Sequence, residues 1–550
     1  MIIYSNVSAK RKQVIKSETF ILIIVTLVTM TSIDSFSQSQ PMFQKTYTSA
    51  LGQECHDIIK TSDGGYMMCG DGIMAGFAGL KGLIVKTDEW GDTLWTRGFG
   101  PATNYLFSIK QTIDRGYIAC GLLAGDFGDF WVLRLDSLGN LIWSKAIGTV
   151  QADIAEDVII TNDGGFLVAG STQGIPGGNP NSSEPMLAKF DSAGNHLWTR
   201  TYRCSIPQPN PVYSILEEQN HDLLLSSGST NNLCTPALSH LSKTDSAGNL
   251  LSIWSYGVMS GNEAPKNIYH IEKTSDYGFL ACGSSDVSPG GENYFIMKLD
   301  SNGQVVWNRS LETWNTGVCL KCKETPDGSY ITAGYISQGT FADPGDVMMV
   351  KFAANGDTLW TRFYSDTLTE QARSMDLTDD GGIVAAGFTS SYGSSYDMYL
   401  LKADSLGYAG CNEKFHTVTV DSLPIVQYTT YSGIIDSTIG TVYTPALTVH
   451  SGLNVMTLCT NVGLEEIPQT NLLLYPNPVT GNTVTLTLQN AVFSKGSCLI
   501  TDLLGRTVFE SSVTDLTSEI QLSLPSLSPG VYFISVQNKT SRHVAKLLVE

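Results

Sequence analysis

The residues best suited to chemistry occupy one recurrent position in the chain. Each stands six residues before a tight-turn sequence, and the seven are Asp57, Ser108, Asp157, Ser214, His270, Lys321 and Ser374. Carboxylates and an imidazole can act as general acid and base on a glycan, so Asp57, Asp157 and His270 are the candidates for hydrolysis or elimination. The same three side chains, with Lys321, are the candidates for binding a polar ligand.

Sequence motifs of known catalytic and cofactor sites are missing from the chain. No nucleophile elbow, His-Glu-x-x-His, phosphate-binding loop or calcium loop occurs, and the eight histidines are scattered. We therefore predict no catalytic residue, no cofactor and no metal. A ring of polar side chains that merely lines a solvated channel would give the same pattern, so ligand binding and channel lining both remain open.

The cysteines favour structure over metal binding. Cys69, Cys120 and Cys282 stand six residues after a turn aspartate, where other repeats carry alanine, so we expect small core side chains there. Cys319 and Cys322 have zinc-knuckle spacing, but an i, i+3 pair on a regular strand points to opposite faces, which argues against a metal. Two disulfides are conceivable in an exported protein, Cys204 with Cys234 and Cys411 with Cys459, and we favour the second.

Two turn motifs repeat seven times with a period of about 50 residues, and they define the elements that must position these side chains. The first is an Asp-Gly-type turn, at 63–65, 114–116, 163–165, 220–222, 276–278, 327–329 and 380–382. The second is an Asp-x-x-Gly-type turn, at 88–91, 136–139, 191–194, 245–248, 300–303, 353–356 and 404–407. A tryptophan usually follows the second glycine by four residues, at Trp95, Trp143, Trp198, Trp307 and Trp360, with Trp254 displaced by two.

Each repeat therefore predicts four antiparallel strands, A to D, because such turns join adjacent strands. Four strands per repeat of this length indicate a propeller blade, and residues 41–410 are predicted to form a seven-bladed β-propeller. The seventh repeat lacks a tryptophan strand, and Phe43 to Tyr47 should supply it and close the ring. The tryptophans are predicted to be wedges between blades. The second turn resembles the tryptophan-docking motif of quinoprotein-like propellers and the Asp-box of sialidases, which concerns blade architecture alone.

Both chain ends carry features of export. Lys10, Arg11, Lys12 and Lys16 precede a short apolar run from Phe20 to Met30, which is typical of a signal peptide, predicted here as residues 1–37. No segment is long and apolar enough to predict a membrane span in the mature protein. A β-rich connecting segment at 411–464 and a linker at 465–470 precede a predicted small β-sandwich at 471–550.

The last 80 residues or so resemble a known family through four ordered motifs. They contain Tyr475-Pro476-Asn477-Pro478, Asp502-Leu503-Leu504-Gly505-Arg506, Pro529-Gly530-Val531-Tyr532 and Lys546-Leu547-Leu548-Val549. In order and spacing these motifs resemble the type A C-terminal sorting domain of the type IX secretion system of Bacteroidetes. The resemblance implies an immunoglobulin-like fold, the type IX machinery as a partner, and a sorting signal that includes Pro476, Asn477, Pro478, Gly505, Arg506, Gly530, Tyr532 and Lys546.

Together these observations predict an all-β protein that is secreted or displayed on the outer cell surface. The net charge of −19 and pI near 4.8 exclude nucleic acid as a partner, because such binding needs a positive surface. We expect a non-catalytic module that binds an extracellular glycan or protein through longer loops on one face of the disc. The alternatives are a secreted hydrolase or lyase that uses the channel residues, and a structural adhesin component.

Overall fold

A computed structural model provides the coordinates. It describes residues 42–49, 51–74, 79–101, 103–125, 127–174, 183–203, 211–227, 239–258, 265–287, 291–313, 316–337, 345–392, 395–414, 418–430, 434–437, 441–445, 447, 449–450, 453–461, 472–479, 481–488, 493–501, 507–516, 520–537 and 542–549. The predicted signal peptide, the linker at 465–470, Cys204, Cys234, Gly505 and Arg506 lie outside these ranges. The described chain is all-β, and it includes no helix long and apolar enough to cross a membrane.

Residues 42–403 form seven groups of antiparallel strands, called here sheets 1 to 7 in chain order. One parallel pairing, of Glu292 with Thr316, joins sheets 5 and 6. The described strands begin with β1 (Met42–Thr48), followed by sheet 1 with β2 (Leu51–Lys60), β3 (Tyr66–Ile73), β4 (Lys81–Thr87) and β5 (Thr93–Phe99); sheet 2 with β6 (Tyr105–Gln111), β7 (Tyr117–Leu123), β8 (Asp129–Leu135) and β9 (Leu141–Gly148); and sheet 3 with β10 (Asp153–Ile160), β11 (Phe166–Thr172), β12 (Glu184–Phe190) and β13 (His196–Arg203). Sheet 4 contains β14 (Val212–Glu217), β15 (Leu223–Ser227), β16 (Ser239–Thr244) and β17 (Leu250–Val258), and sheet 5 contains β18 (Pro265–Lys273), β19 (Phe279–Val287), β20 (Gly291–Leu299) and β21 (Val305–Leu311). Sheet 6 contains β22 (Thr316–Glu324), β23 (Tyr330–Ser337), β24 (Asp346–Phe352) and β25 (Thr358–Tyr364), and sheet 7 contains β26 (Glu370–Leu377), β27 (Ile383–Thr389) and β28 (Asp397–Ala403).

The repeated aspartates hold the turns between these strands. Asp63 Oδ1 accepts hydrogen bonds from the Thr61 hydroxyl (2.6 Å) and the Gly65 amide (3.2 Å), and a glycine with φ of 86° lies between them. In the second turn, Asp136 Oδ1 accepts from the amides of Leu138 (2.9 Å) and Asn140 (2.8 Å). These are the local side-chain-to-backbone bonds that favour aspartate in turns.

A basic residue on the third strand of every sheet supports the first turn. The Lys86 ammonium lies 3.0 Å from a carboxylate oxygen of Asp63, and the Lys298 ammonium lies 2.9 Å from Asp276. The equivalent pairs in the other sheets are Arg134–Asp114, Lys189–Asp163, Lys243–Asp222, Lys351–Asp327 and Lys402–Asp380. The lysine stems are buried, so each pair anchors a turn to the sheet below it.

The seven sheets share seven apolar cores in a closed cycle. Each core combines buried residues of two consecutive sheets, and the last one joins sheet 7 to sheet 1. The cycle depends on β1, which pairs with β28 so that Phe43 lies opposite Lys402. The predicted pairing of the N-terminal strand with the seventh repeat is therefore confirmed.

Aromatic side chains contact the glycine of the next sheet's second turn. A Cβ atom on Gly139 would lie 2.6 Å from the Trp95 ring, which shows how closely that ring packs on the turn. The same contact is made by Trp143, Trp198, Trp254, Trp307 and Trp360 on Gly194, Gly248, Gly303, Gly356 and Gly407. At the closure point Phe43 replaces tryptophan, and a Cβ on Gly91 would lie 2.7 Å from its ring. The Tyr47 hydroxyl also donates to the Gly91 carbonyl at 2.6 Å.

The prediction of four strands per repeat is incomplete, because residues 413–461 add a fifth strand to every sheet. This segment, which we call the belt, consists of β29 (Glu413–Lys414), β30 (Val420–Asp421), β31 (Ile425–Thr430), β32 (Ile434–Ser437), β33 (Thr441–Tyr443), β34 (Val449–His450) and β35 (Asn454–Asn461). They pair in turn with β25, β21, β17, β13, β9, β5 and β1. The belt thus passes sheets 6, 5, 4, 3, 2, 1 and 7 in reverse chain order and covers each outer edge.

The C-terminal unit contains two further sheets. Its strands are β36 (Leu472–Tyr475), β37 (Thr483–Leu488), β38 (Phe493–Thr501), β39 (Thr507–Leu516), β40 (Ile520–Ser523), β41 (Gly530–Gln537) and β42 (Arg542–Val549). The sheet orders are β36-β37-β40 and β39-β38-β41-β42. One apolar core contains residues of both sheets, among them Val484, Ile500 and Ile534, all fully buried.

Candidate functional site

The first strands of the seven sheets surround one cavity. Each contacts the first strand of the next sheet, and β26 contacts β2, so they form a closed circle of inner strands. All seven pairings between first and second strands shift register at the same point, just before the seven polar residues predicted from the sequence. Such a bulge leaves one backbone amide without a partner in its own sheet.

The polar residues satisfy those amides across the circle. Asp57 Oδ2 accepts from the Ile109 amide of the next sheet (3.0 Å), and Asp157 Oδ2 accepts from the Ile215 amide (3.1 Å). His270 Nδ1 makes a longer contact of the same kind, 3.4 Å from the Cys322 amide. Asp57, Asp157 and His270, three of the four candidate ligand residues, therefore connect the inner strands of adjacent sheets. This structural role was not apparent from the sequence.

A buried cluster of charges links sheets 1, 2 and 3. The Lys110 ammonium lies 3.2 Å from Asp57 and 3.6 Å from Asp157, and the Ser108 hydroxyl donates to Asp157 at 2.8 Å. Burial alone would raise the pKa of Asp57, but Lys110, Lys321 and hydrogen bonds from Ser374 and Ile109 outweigh it and hold this pKa below its ordinary value. Asp57 is therefore held as an ionised carboxylate by partners from several sheets.

Lys321 and His270 complete the polar circle. The Lys321 ammonium lies 3.8 Å from Asp57 on the other side of the cavity. Burial first, and then the ammonium groups of Lys321 and Lys323, lower the pKa of His270 well below its ordinary value, so this imidazole is neutral.

The cavity itself, which we call the mouth cavity, is lined by two rows of side chains. One row is the polar circle, which comprises Asp57, Ser108, Asp157, Ser214, His270, Lys321 and Ser374 and so includes all four candidate ligand residues. The other row stands one position earlier on each inner strand and comprises His56, Phe107, Glu156, Tyr213, Tyr269, Leu320 and Arg373. The cavity encloses about 160 Å³. This end of each inner strand follows the connection from the last strand of the preceding sheet.

Aromatic rings dominate one side of the mouth cavity. The Tyr213 and Tyr269 rings pack with centroids 4.8 Å apart, and the Phe107 ring meets the His56 ring edge-on at 5.0 Å. His56 Nε2 lies 2.7 Å from Asp71 Oδ1, which orients its imidazole. The Phe107 ring also stacks on Tyr105, with an interplanar angle of 4° and centroids 6.0 Å apart. These contacts fix the rings before any ligand arrives, which lowers the entropic cost of binding.

Glu156 and Arg373 add charged groups to the mouth cavity beside Asp57, Asp157 and Lys321 of the polar circle. Burial and the neighbouring Asp157 raise the pKa of Glu156 from 4.5 to about 7. The Arg373 guanidinium lies 5.3 Å from the centre of the Phe388 ring and 3.9 Å from a carboxylate oxygen of Glu54. The mouth therefore offers a protonatable carboxyl group and a cation beside aromatic faces.

A shallow groove continues from the mouth cavity across sheets 1, 2 and 7. It shares His56 and Phe107 with the cavity and extends to Leu80, Leu122 and Tyr396. The floor is mostly apolar, while Glu54 and Asp71 supply carboxylates along it. An extended ligand could lie in the groove with one end in the mouth.

Sequence reasoning missed the mouth residues because they alternate with the polar circle and differ in type from sheet to sheet. Residues that build the sheets repeat seven times, whereas His56, Phe107, Glu156, Tyr213 and Arg373 occupy equivalent positions and share no chemistry. A variable position within an otherwise regular repeat is the sequence signal that could have identified them.

The expectation that Cys319 and Cys322 face opposite sides is wrong. A bulge between Cys319 and Lys321 interrupts the alternation of the strand, and both thiols enter the apolar core between sheets 5 and 6. Cys69, Cys120 and Cys282 are buried free thiols. Cys411 and Cys459 are joined in a disulfide, with Cα atoms 6.4 Å apart.

The predicted sorting-signal residues that are described lie close to the last strand. The Asn477 side chain donates to the Lys546 carbonyl at 2.7 Å and accepts from the Leu548 amide at 2.8 Å, which anchors the Pro-Asn-Pro turn to β42. Pro476 and Pro478 flank that asparagine, and Gly530 begins β41. The Tyr532 hydroxyl donates to the Ser528 carbonyl at 2.9 Å.

Comparison with solved structures gives only distant likeness. Two crystal structures of Sqt1 from Chaetomium thermophilum match with TM-scores of 0.37 and 0.35 at 8% and 10% identity. The matches cover 67% and 66% of this chain and 98% and 99% of the Sqt1 chains. No curated protein matches the sequence.

One family match identifies how the protein leaves the cell. Residues 473–550 match the secretion system C-terminal sorting domain family. Domains of this family mark proteins that the type IX system delivers, and this protein is accordingly secreted to the cell surface or the extracellular space.

Proposed function

We propose that this exported protein is a seven-bladed β-propeller that binds a glycan, without catalysis, at the mouth cavity and the adjoining groove. The observation that carries the proposal is the composition of the mouth, where aromatic and charged side chains replace the repetitive residues of the scaffold. The C-terminal unit, which we take to be an immunoglobulin-like sandwich, would present the chain to the type IX machinery.

Several structural features support the propeller architecture. The sheets share cores in a closed cycle, and Phe43 contacts Gly91 as each tryptophan contacts the glycine of the following sheet. Strand β1 completes sheet 7, as circular closure requires. Closure removes the exposed edges that an open array would offer to other chains.

The chemistry of the mouth suits a saccharide. Sugar rings present an apolar face that packs on aromatic rings, and hydroxyl groups that bond to carboxylates and guanidinium groups. Tyr213, Tyr269 and Phe107 supply the faces, while Glu156 and Arg373 supply the polar contacts. A few polar groups beside apolar walls are typical of small-molecule sites in general.

One observation favours the alternative of a glycan hydrolase. Glu156 has a pKa near 7, which suits a general acid at neutral pH. Its neighbour Asp157, however, already accepts from Ser108 and the Ile215 amide, which leaves it poorly placed to activate water. Binding therefore has the better support.

A glycan array probed with the purified mature protein tests the proposal. We expect one class of glycan to be retained by the parent, and retention to fall about fivefold in Phe107→Ala and in Tyr269→Ala, because stacking contacts of this kind contribute about 1 kcal/mol each. The matched control is Leu359→Ala, an exposed side chain on the outer part of sheet 6. Unchanged retention in both mouth variants would contradict the proposal, and release of shortened glycan by the parent would support the hydrolase instead.

A further inference from the structure

We propose that His270, Cys282 and Cys322 form a buried site for a thiophilic metal ion, zinc(II), between sheets 5 and 6. The three ligand atoms lie within 4.8 Å of one another. Cysteine sulfur and histidine nitrogen are the preferred zinc ligands in proteins, and a site with three protein ligands leaves the fourth tetrahedral position to water.

The geometry brings these side chains together from two sheets. His270 lies opposite Cys282 in the pairing of β18 with β19, so both side chains point to the same face of sheet 5. His270 Nδ1 is 3.4 Å from Cys322 Sγ in sheet 6.

The bulge in β22 is what brings both cysteines of that strand into one core. Without the register shift after Cys319, regular alternation would direct one thiol to the opposite face. All three thiols are fully buried, and His270 is only 8% exposed. His270 Nδ1 lies 3.4 Å from both the amide and the thiol of Cys322, so this nitrogen faces the cluster, and a bound metal ion would take the place of the long amide contact.

The equivalent positions at the other sheet contacts show that packing alone does not require this cluster. Cys69 of sheet 1 meets Leu106 and Ile109 of sheet 2, and Cys120 of sheet 2 meets Ala155 and Val158 of sheet 3. Those contacts contain one thiol among apolar side chains. Among the described contacts between sheets, the one between sheets 5 and 6 has thiols from both sheets. It also has the imidazole of His270, at the position that Asp57 occupies in sheet 1 and Ser108 in sheet 2.

The charge balance suits a divalent ion. Binding of zinc(II) would displace one proton from each of two thiols, while neutral His270 donates through Nδ1, so the filled site carries no net charge in a buried core. His270 also lines the mouth cavity, which gives an ion a route into the site.

Metal analysis of the mature protein, purified with a thiol reductant and without chelator, tests the site. We expect about one zinc per chain by mass spectrometry of the elements, and after cobalt(II) reconstitution the visible bands of a tetrahedral thiolate complex. Cys282→Ser, Cys322→Ser and His270→Asn should each lose most of the zinc and of the cobalt spectrum. Cys120→Ser, the equivalent change in sheet 2, should retain both.

Two measurements on the parent keep the proposal testable if a variant does not fold. Zinc should protect the thiols of Cys282 and Cys322 from alkylation in the native protein by at least tenfold, and a chelator should remove that protection. Less than one tenth of an equivalent of zinc after reconstitution would overturn the proposal. So would equal loss of zinc in Cys120→Ser, or a disulfide joining two of the cluster thiols in protein from the native host.

Discussion

Removal of the disulfide between Cys411 and Cys459 should destabilise the whole ring of sheets. Cys411 precedes the first belt strand and Cys459 lies in the last, so the bond joins the two ends of a segment that has passed all seven sheets. The variants are Cys411→Ser, Cys459→Ser and the double substitution. Because either single change abolishes the bond, all three should be destabilised equally.

The separation of the two cysteines sets the expected magnitude. A crosslink that closes a loop of 48 residues lowers the entropy of the unfolded chain by an amount equivalent to about 4 kcal/mol at 25 °C. Unfolding of roughly 400 residues has an entropy of about 0.8 kcal/mol/K near the melting temperature. The expected decrease in Tm is therefore about 5 °C.

Differential scanning calorimetry of the mature protein with and without a reductant provides the assay. Reduction should lower the Tm of the parent by the same amount as the substitutions and leave the Tm of the three variants unchanged. Variants that melt within about 1 °C of the parent would refute the idea that the disulfide fastens the belt. A double variant much less stable than either single variant would also refute it, because the effect would then not come from the bond.

Three further predictions follow from the fold and the mouth. Phe43→Ala should destabilise the ring by about 3 to 5 kcal/mol, while Phe43→Trp should be tolerated because tryptophan fills the equivalent position in the six other sheets; denaturant titration checks both, and a neutral Phe43→Ala would count against closure by β1. Glu156→Gln should raise the Tm more at pH 8 than at pH 4.5. The pKa of Glu156 is about 7 in the folded protein and 4.5 ordinarily, so the parent loses up to about 3 kcal/mol of stability as the pH rises from 4.5 to 7. A difference in Tm between variant and parent that does not change with pH would exclude a raised pKa of Glu156. Truncation of the chain from Ile467 should leave the seven sheets folded but confined to the periplasm, as cell fractionation would show, and normal surface levels of the truncated protein would contradict delivery through the C-terminal domain.

The turns made the repeated part of this fold predictable from sequence. Asp-Gly and Asp-x-x-Gly sequences are local signals, since the aspartate bonds to amides two and four residues away. The isolated aromatic strand at Phe43 was equally informative, because the seventh repeat lacked its partner. A repeated basic residue is a further signal in the sequence. A lysine or arginine stands two residues before each second turn, from Lys86 to Lys402, and its side chain forms an ion pair with the aspartate of the first turn.

The belt and the mouth could not be predicted in the same way. Belt strands such as Glu413–Lys414 and Val449–His450 are two residues long and owe their conformation to the sheets that they extend. The bulges of the inner strands arise from contacts between sheets, so regular alternation gave the wrong side for Cys322 and concealed the structural role of Asp57. Phe107 and the equivalent residues could be recognised as cavity-lining only from the tertiary structure, in which seven strands distant in sequence surround one cavity.

Hydrogen exchange of the mature protein, measured with and without the glycan that the array identifies, tests most directly whether the mouth cavity is the binding site. We predict that the glycan slows exchange in the first halves of β2, β6, β10 and β18, around His56, Phe107, Glu156 and Tyr269, and leaves the belt unchanged. Protection confined to the belt, to the turns that contain Asp63 and its equivalents, or to the C-terminal unit would contradict the account.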